Sequence, residues 1–175
     1  ARYQAELANG FGNLASRAIA MIHRYFDGVL PESGIVTAAE EQVQAVAAAA
    51  VAKAESSMDD LSIQDAIAAI WTLVDELNNY ITVQEPWALA KDEANRERLA
   101  TVLVTTAEGL RALAVLLNPI TPKATAKLWV ALGETTAGSI NDQPLGKAAV
   151  WGQLKAGGAL AELEPLFPRI ETEAK

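Results

Sequence analysis

Asn13 and Arg17 stand one helical turn apart near the start of the chain, and Trp87 follows Pro86 near its middle. An asparagine amide carries both donors and an acceptor, and an arginine presents a planar fork of donors, so the pair has the equipment to hydrogen-bond a polar, planar ligand. Trp87 adds a large aromatic face. Proline disfavours the α conformation in the residue before it and has no N–H to give, so the helix arriving through Tyr80 should end by about Glu85 and a new one should open at Pro86. A tryptophan in that first turn is either a wedge in the core or a platform at the rim, and its neighbours in sequence leave both open.

Other chemistry is missing. The chain has one histidine and no cysteine, which leaves no room for a histidine-rich or thiolate metal site. No phosphate-binding glycine loop, dinucleotide fingerprint or nucleophile elbow occurs. The acidic pairs Asp59-Asp60, Asp75-Glu76 and Asp92-Glu93 are adjacent in sequence, so on a helix they diverge by about 100° and read as solvated faces. His23 reads as a helix surface residue. The segment by itself is not expected to be an enzyme.

Helices must position the three residues. From Arg2 to about Asp27, Leu7, Phe11, Leu14, Ala18, Met21 and Tyr25 mark a core stripe, and Asn9, Asn13 and Arg17 form a row displaced by one residue, on its flank. Gly10 and Gly12 imply a close contact or a loosened first turn. Gly28 to Gly34 reads as a loop. Thr37 with Glu40 has capping-box spacing and starts a helix to about Ser57, and Ser62 with Asp65 repeats the spacing before a helix whose inward residues begin at Ile63. After Pro86, the pattern from Leu89 through Leu99 to Leu117 predicts one long helix ending near Asn118-Pro119. Thr121-Pro122 starts another that stops at Gly133. The expected fold is all-α: a bundle of about five helices over residues 1–133, with an extended tail over 134–175 that packs on the bundle or on a domain outside this chain. One short helix near Leu160 is expected in that tail, and no strand.

The 175 residues suit one domain with a real core. Lys and Arg total 14 against 22 Asp and Glu, a net charge of -8 that argues against general binding to nucleic acid. Any such contact must be local, through stacking, hydrogen bonds and cations such as Arg17, Arg24 and Lys91. No unbroken apolar run is long enough to span a bilayer, so no membrane partner is expected. The lack of cysteine permits a reducing, cytoplasmic location. An opening that lacks Met and is already amphipathic reads as a segment of a longer polypeptide.

Three blocks in order carry a specific likeness: Leu7-Ala-Asn-Gly-Phe-Gly-Asn-Leu-Ala-Ser-Arg17, then Asn78-Asn-Tyr-Ile with Pro86-Trp-Ala-Leu-Ala-Lys91, then Leu117-Asn-Pro-Ile-Thr-Pro122. Together with Trp129, Leu132-Gly133 and Pro165-Leu-Phe-Pro-Arg-Ile170, they resemble the anticodon-binding region of methionyl-tRNA synthetase over nearly the whole chain. The resemblance implies a class I synthetase helical bundle that follows a catalytic domain activating methionine with ATP and magnesium. The His-Ile-Gly-His and Lys-Met-Ser-Lys-Ser signatures of that domain are absent here, so no cofactor is expected in this segment. By matching positions, Trp87 corresponds to the tryptophan that stacks on an anticodon base, Pro86 fixes its entry, and Asn13 and Arg17 correspond to first-helix residues reaching anticodon nucleotides. The implied partners are the anticodon loop of methionine tRNA, with anticodon CAU, and the catalytic domain of the same parent. Splayed bases are read by such stacking and edge hydrogen bonds. The alternative is a non-enzymatic helical protein-interaction module in which Trp87 is core.

Overall fold

The computed structural model describes residues 3–134, 138–148 and 150–168. The chain opens with a wide π-helical segment, Tyr3–Gly12, that runs into α1 (Asn13–Phe26). Then come α2 (Ala38–Asp59), α3 (Ile63–Gln84), the single turn α4 (Pro86–Leu89), α5 (Arg96–Leu117), α6 (Pro122–Ala131) and the short α7 (Leu145–Ala148). The all-α bundle expected from the sequence is observed. A methyl group on Gly12 would sit 3.1 Å from both the Leu7 carbonyl and the Phe167 ring, so the early glycines accompany both a loosened winding and a close contact.

Helix α5 is the axis. Among its buried residues are Leu99, Val102, Leu103, Thr106, Leu110, Leu113 and Leu117, a set that goes all round the helix once its neighbours Ala100, Ala112 and Leu116 are added. A helix apolar on every side must be enclosed. The span Glu93–Leu117 is by length and composition apolar enough to cross a membrane, yet its apolar 18-residue window is 94% buried, so the surrounding helices account for it. Gly109 lets α3 approach: a Cβ there would meet the Leu77 methyls at 2.6 Å.

The start of α2 matches expectation in full. Thr37 Oγ1 accepts from the Ala39 N–H, and Glu40 accepts from the Thr37 N–H at 2.7 Å, which satisfies donors that the first turn leaves open. At α3 the same spacing works differently: the Ser62 hydroxyl donates to the Asp65 carboxylate at 2.7 Å and caps no backbone donor. Ile63, expected inward, is 58% exposed because it sits in the first turn beyond the reach of the core.

Three further expectations are corrected. The helix after Pro86 is not continuous: α4 ends at Leu89, a 3-10 turn occupies Glu93–Asn95, and α5 begins at Arg96. Asp92 causes the restart, since its Oδ1 accepts the Ala94 N–H at 3.0 Å and so caps a new beginning. Leu160 lies in extended chain, not helix. Its N–H donates to the Gly28 carbonyl at 2.7 Å, and Leu30 donates to Gly158 at 2.8 Å, forming an isolated antiparallel bridge, Val29 with Ala159. His23 is only partly exposed, with its ring under Gly28 and a buried Nε2.

The described tail residues lie on the bundle. Leu160 and Leu166 join the core, and Phe167 packs with Phe11 at 6.2 Å between ring centres. A buried pair in α5 anchors the middle of the tail: Arg111 Nε lies 3.2 Å from Glu108 Oε2, Arg111 also donates to the Val150 carbonyl, and Glu108 accepts from the Gly152 and Leu154 N–H groups. Arg169 and Ile170 of the Pro165–Ile170 block lie outside the described residues.

Candidate nucleic-acid interface

Glu85 forms the corner between α3 and α4. Its N–H closes the last turn of α3 on the Ile81 carbonyl at 3.0 Å, and its own carbonyl accepts from Ala88 at 2.7 Å and Leu89 at 3.1 Å to open α4. One residue serving both helices must turn sharply, and Glu85 does so at φ 46°, ψ 58°. That is the left-handed region, which costs a non-glycine residue on the order of 1 to 3 kcal/mol. Pro86 occupies the first helical position and is buried. Trp87 is thereby pushed outward.

The other tryptophans show what packing looks like in this chain. Trp129 is 3% exposed, with its ring N–H donated to the Gly138 carbonyl at 3.1 Å, and Trp71 and Trp151 rest against the core. Trp87 is 39% exposed. The guanidinium carbon of Arg17 stands 5.8 Å from the centre of its ring, within cation–π range. Asn13, one turn earlier, is exposed like Arg17 on the flank of α1. The structure thus brings Arg17 to Trp87, buries Pro86 at the start of the turn that carries Trp87, and leaves Asn13 exposed one turn before Arg17 on α1. A protein-interaction module with Trp87 in its core does not fit this placement.

Behind the corner lies a network that the sequence did not disclose. Arg98 of α5 grips both oxygens of Glu40, at 2.8 and 2.7 Å, and donates to Gln84 Oε1 at 2.6 Å. Tyr80 donates its hydroxyl to Glu40, and Thr37 donates both its N–H and its hydroxyl to it at 2.7 Å. The Glu40 side chain is wholly buried. Burial by itself would raise its pKa; the hydrogen bonds from Arg98, Tyr80 and Thr37 outweigh this and bring it down to about 2. Burial and the adjoining Glu40 charge push the Tyr80 hydroxyl up, so it stays a donor. Capping spacing revealed Glu40 as a cap; its partner Arg98 is 58 residues away and has no local signal. Among the described residues no group of three acidic, histidine or cysteine side chains could hold a metal.

Residues 30–175 match a protein family described as the anticodon binding domain of methionyl tRNA ligase. The chain is 47% identical to the methionine–tRNA ligase of Streptomyces coelicolor over 175 residues, which is 98% of this chain and 32% of that one. It is 41% identical to the methionine–tRNA ligase of Caldanaerobacter subterraneus subsp. tengcongensis over 172 residues, 98% of this chain and 26% of that one. In three dimensions it is similar to the crystal structure of apo Mycobacterium tuberculosis methionyl-tRNA synthetase, with a TM-score of 0.88 at 31% identity, covering 98% of this chain and 34% of the other. The same enzyme bound by methionyl-adenylate gives a TM-score of 0.86. The chain spans about a third or less of the length of these relatives. The family match begins at Leu30, so α1 with Asn13 and Arg17 rests on the pairwise relatives, which cover nearly the whole chain. With the fold, the order of its blocks and its relatives in agreement, the chain belongs to the family of anticodon-binding domains of methionyl-tRNA ligases.

Proposed function

We propose that this chain reads the CAU anticodon of methionine tRNA, with one anticodon base stacked on Trp87 and others hydrogen-bonded by Asn13 and Arg17, while Pro86 holds the tryptophan at its angle. The parent protein is then a cytoplasmic ligase that attaches methionine to tRNA with ATP and magnesium, both used in a catalytic domain outside this chain. Residues 1–133 form the recognition bundle in this reading, and 134–175 a C-terminal tail that packs on the bundle or on the catalytic domain. The observation that carries it is the exposed Trp87 ring with the Arg17 guanidinium 5.8 Å away, a platform beside a fork of donors. Unpaired bases are recognised by that combination, which works in an acidic chain because it needs few charges. The test is tRNA binding by the intact parent carrying Trp87→Ala or Trp87→Phe. Alanine should lose about 1 to 3 kcal/mol of affinity for tRNA with the CAU anticodon, and phenylalanine should keep part of it, since a π-face remains. A well-folded Trp87→Ala protein that charges and binds tRNA normally would refute the assignment.

A further inference from the structure

Arg17 is one of three arginines laid against aromatic rings on the same side of the molecule. The guanidinium carbon of Arg24 stands 5.6 Å from the centre of the Tyr25 ring, and that of Arg96 stands 4.8 Å from the centre of the Phe26 ring. Arg24 continues the exposed row of Asn13 and Arg17, seven residues beyond Arg17, or about 10 Å along α1. Arg96 is the first residue of α5. Arg24, Tyr25 and Arg96 line one open cleft of about 220 Å³, and its other wall includes Leu89 and Ala90, the end of the turn that carries Trp87. The cleft therefore lies between α1 and the α4–α5 connection, and Leu89 on its wall belongs to the same turn as Trp87.

A guanidinium that spends its face on a ring keeps its N–H donors in its own plane, at the edge, where they can fork onto phosphate oxygens. Packing on the ring also limits its rotamers, so less freedom is lost on binding. Two carboxylates adjoin the cleft. Asp92 is committed to the Ala94 N–H at 3.0 Å, and Glu93 lies 3.6 Å from Arg96 with 83% of its side chain exposed, free to swing into water when an anion arrives. In a chain of net charge -8, Arg17, Arg24 and Arg96 set three guanidinium groups near the candidate base platform, and Asp92 and Glu93 offset two of their charges.

We propose that Arg24 and Arg96 form a subsite for the phosphodiester backbone of the RNA strand whose base stacks on Trp87. The inference rests on the anticodon reading above and adds the path of the strand away from the base. Phosphate contacts position a strand without reading it, so the two kinds of residue differ in measurable ways.

The experiment measures tRNA binding by the intact parent over about 50 to 200 mM salt, with the CAU anticodon and with a changed one. Arg24→Gln with Arg96→Gln should weaken both tRNAs by the same factor and lower the slope of log affinity against log salt by about 1.4, near 0.7 for each single-strand phosphate released. Arg24→Lys with Arg96→Lys should restore the slope, which separates lost charge from lost folding. An unchanged slope, or a loss confined to the CAU tRNA, overturns the subsite even where Trp87→Ala weakens tRNA binding as the stacking reading expects. A fallen slope alongside a Trp87→Ala protein that binds the CAU tRNA as tightly as wild type supports the arginine contacts and overturns the base-stacking reading instead.

Discussion

Arg98 uses one terminal nitrogen to hold both Glu40 Oε1, at 2.7 Å, and Gln84 Oε1, at 2.6 Å. Gln84 is the last residue of α3, three before Trp87, so the start of α2, the end of α3 and the first turns of α5 are tied together behind the strained corner at Glu85. Glu40→Gln keeps the shape but leaves the Arg98 charge without its carboxylate. Breaking one side of a buried pair should cost about 3 kcal/mol of folding stability, read from urea unfolding followed by circular dichroism. A change under about 0.5 kcal/mol, the range of ordinary surface substitutions, would show that the pair does not hold the corner.

The same pair sets an acid limit. Glu40 titrates near 2 in the folded protein against an ordinary value of 4.5. A depressed folded pKa stabilises the protein above the unfolded value, and the contribution is lost as pH falls from about 4.5 through about 2. The unfolding midpoint should fall across that window in the wild type, and more gently in Glu40→Gln. Parallel pH profiles for the two proteins would count against this assignment.

Local signals in the sequence were legible and distant ones were not. Thr37 with Glu40 and Pro86 after the α3 terminus announced themselves because a cap and a proline act on backbone groups a few residues away. The salt bridge from Glu40 to Arg98 was invisible, since only packing of α2 against α5 unites them. The break between α4 and α5 was missed because the apolar positions Leu89 and Leu99 bracket it, although Asp92, two residues before Ala94, carried the capping signal. For the candidate site, helical spacing placed Asn13 and Arg17 on one flank, but whether Trp87 was core or rim depended on how the Glu85 corner turned. The segment at Leu160 is extended and not helical because its partners are the backbone groups of the distant α1–α2 loop, which no local signal reveals.

Strain at Glu85 is testable by itself. Glycine adopts φ near 46° without steric cost, though it loses more freedom on folding. The two effects nearly offset, so Glu85→Gly should leave stability unchanged or raise it by up to about 1 kcal/mol. Glu85→Val should destabilise by on the order of 1 to 3 kcal/mol, the cost of forcing a β-branched residue into that region. Thermal unfolding of the two variants decides it: equal stability would mean that the corner relaxes instead of holding its angle.

The tail should depend on one carboxylate. Glu108→Ala removes the acceptor for the Gly152 and Leu154 N–H groups and the carboxylate facing the buried Arg111. A loss of about 3 to 5 kcal/mol is expected. Hydrogen exchange at the Gly152 and Leu154 amides should accelerate more than at Leu103 or Leu110 in the middle of α5. Uniform acceleration would mean that the tail and bundle unfold as one unit.

Arg17 and Trp87 should act as a coupled pair. An exposed cation over a ring is worth about 0.5 to 1 kcal/mol, enough to bias the tryptophan toward one orientation before any ligand arrives. Arg17→Ala therefore removes a donor fork and also releases the ring that the proposal places under a base. In tRNA binding by the intact parent, the loss from Arg17→Ala should shrink when Trp87 is already alanine, giving a coupling energy of at least about 0.5 kcal/mol in a double-mutant cycle. Arg17→Lys should recover charge but not the planar fork, and so remain weaker than wild type. Strictly additive losses would mean that the 5.8 Å contact is incidental to binding and that each residue meets the RNA separately.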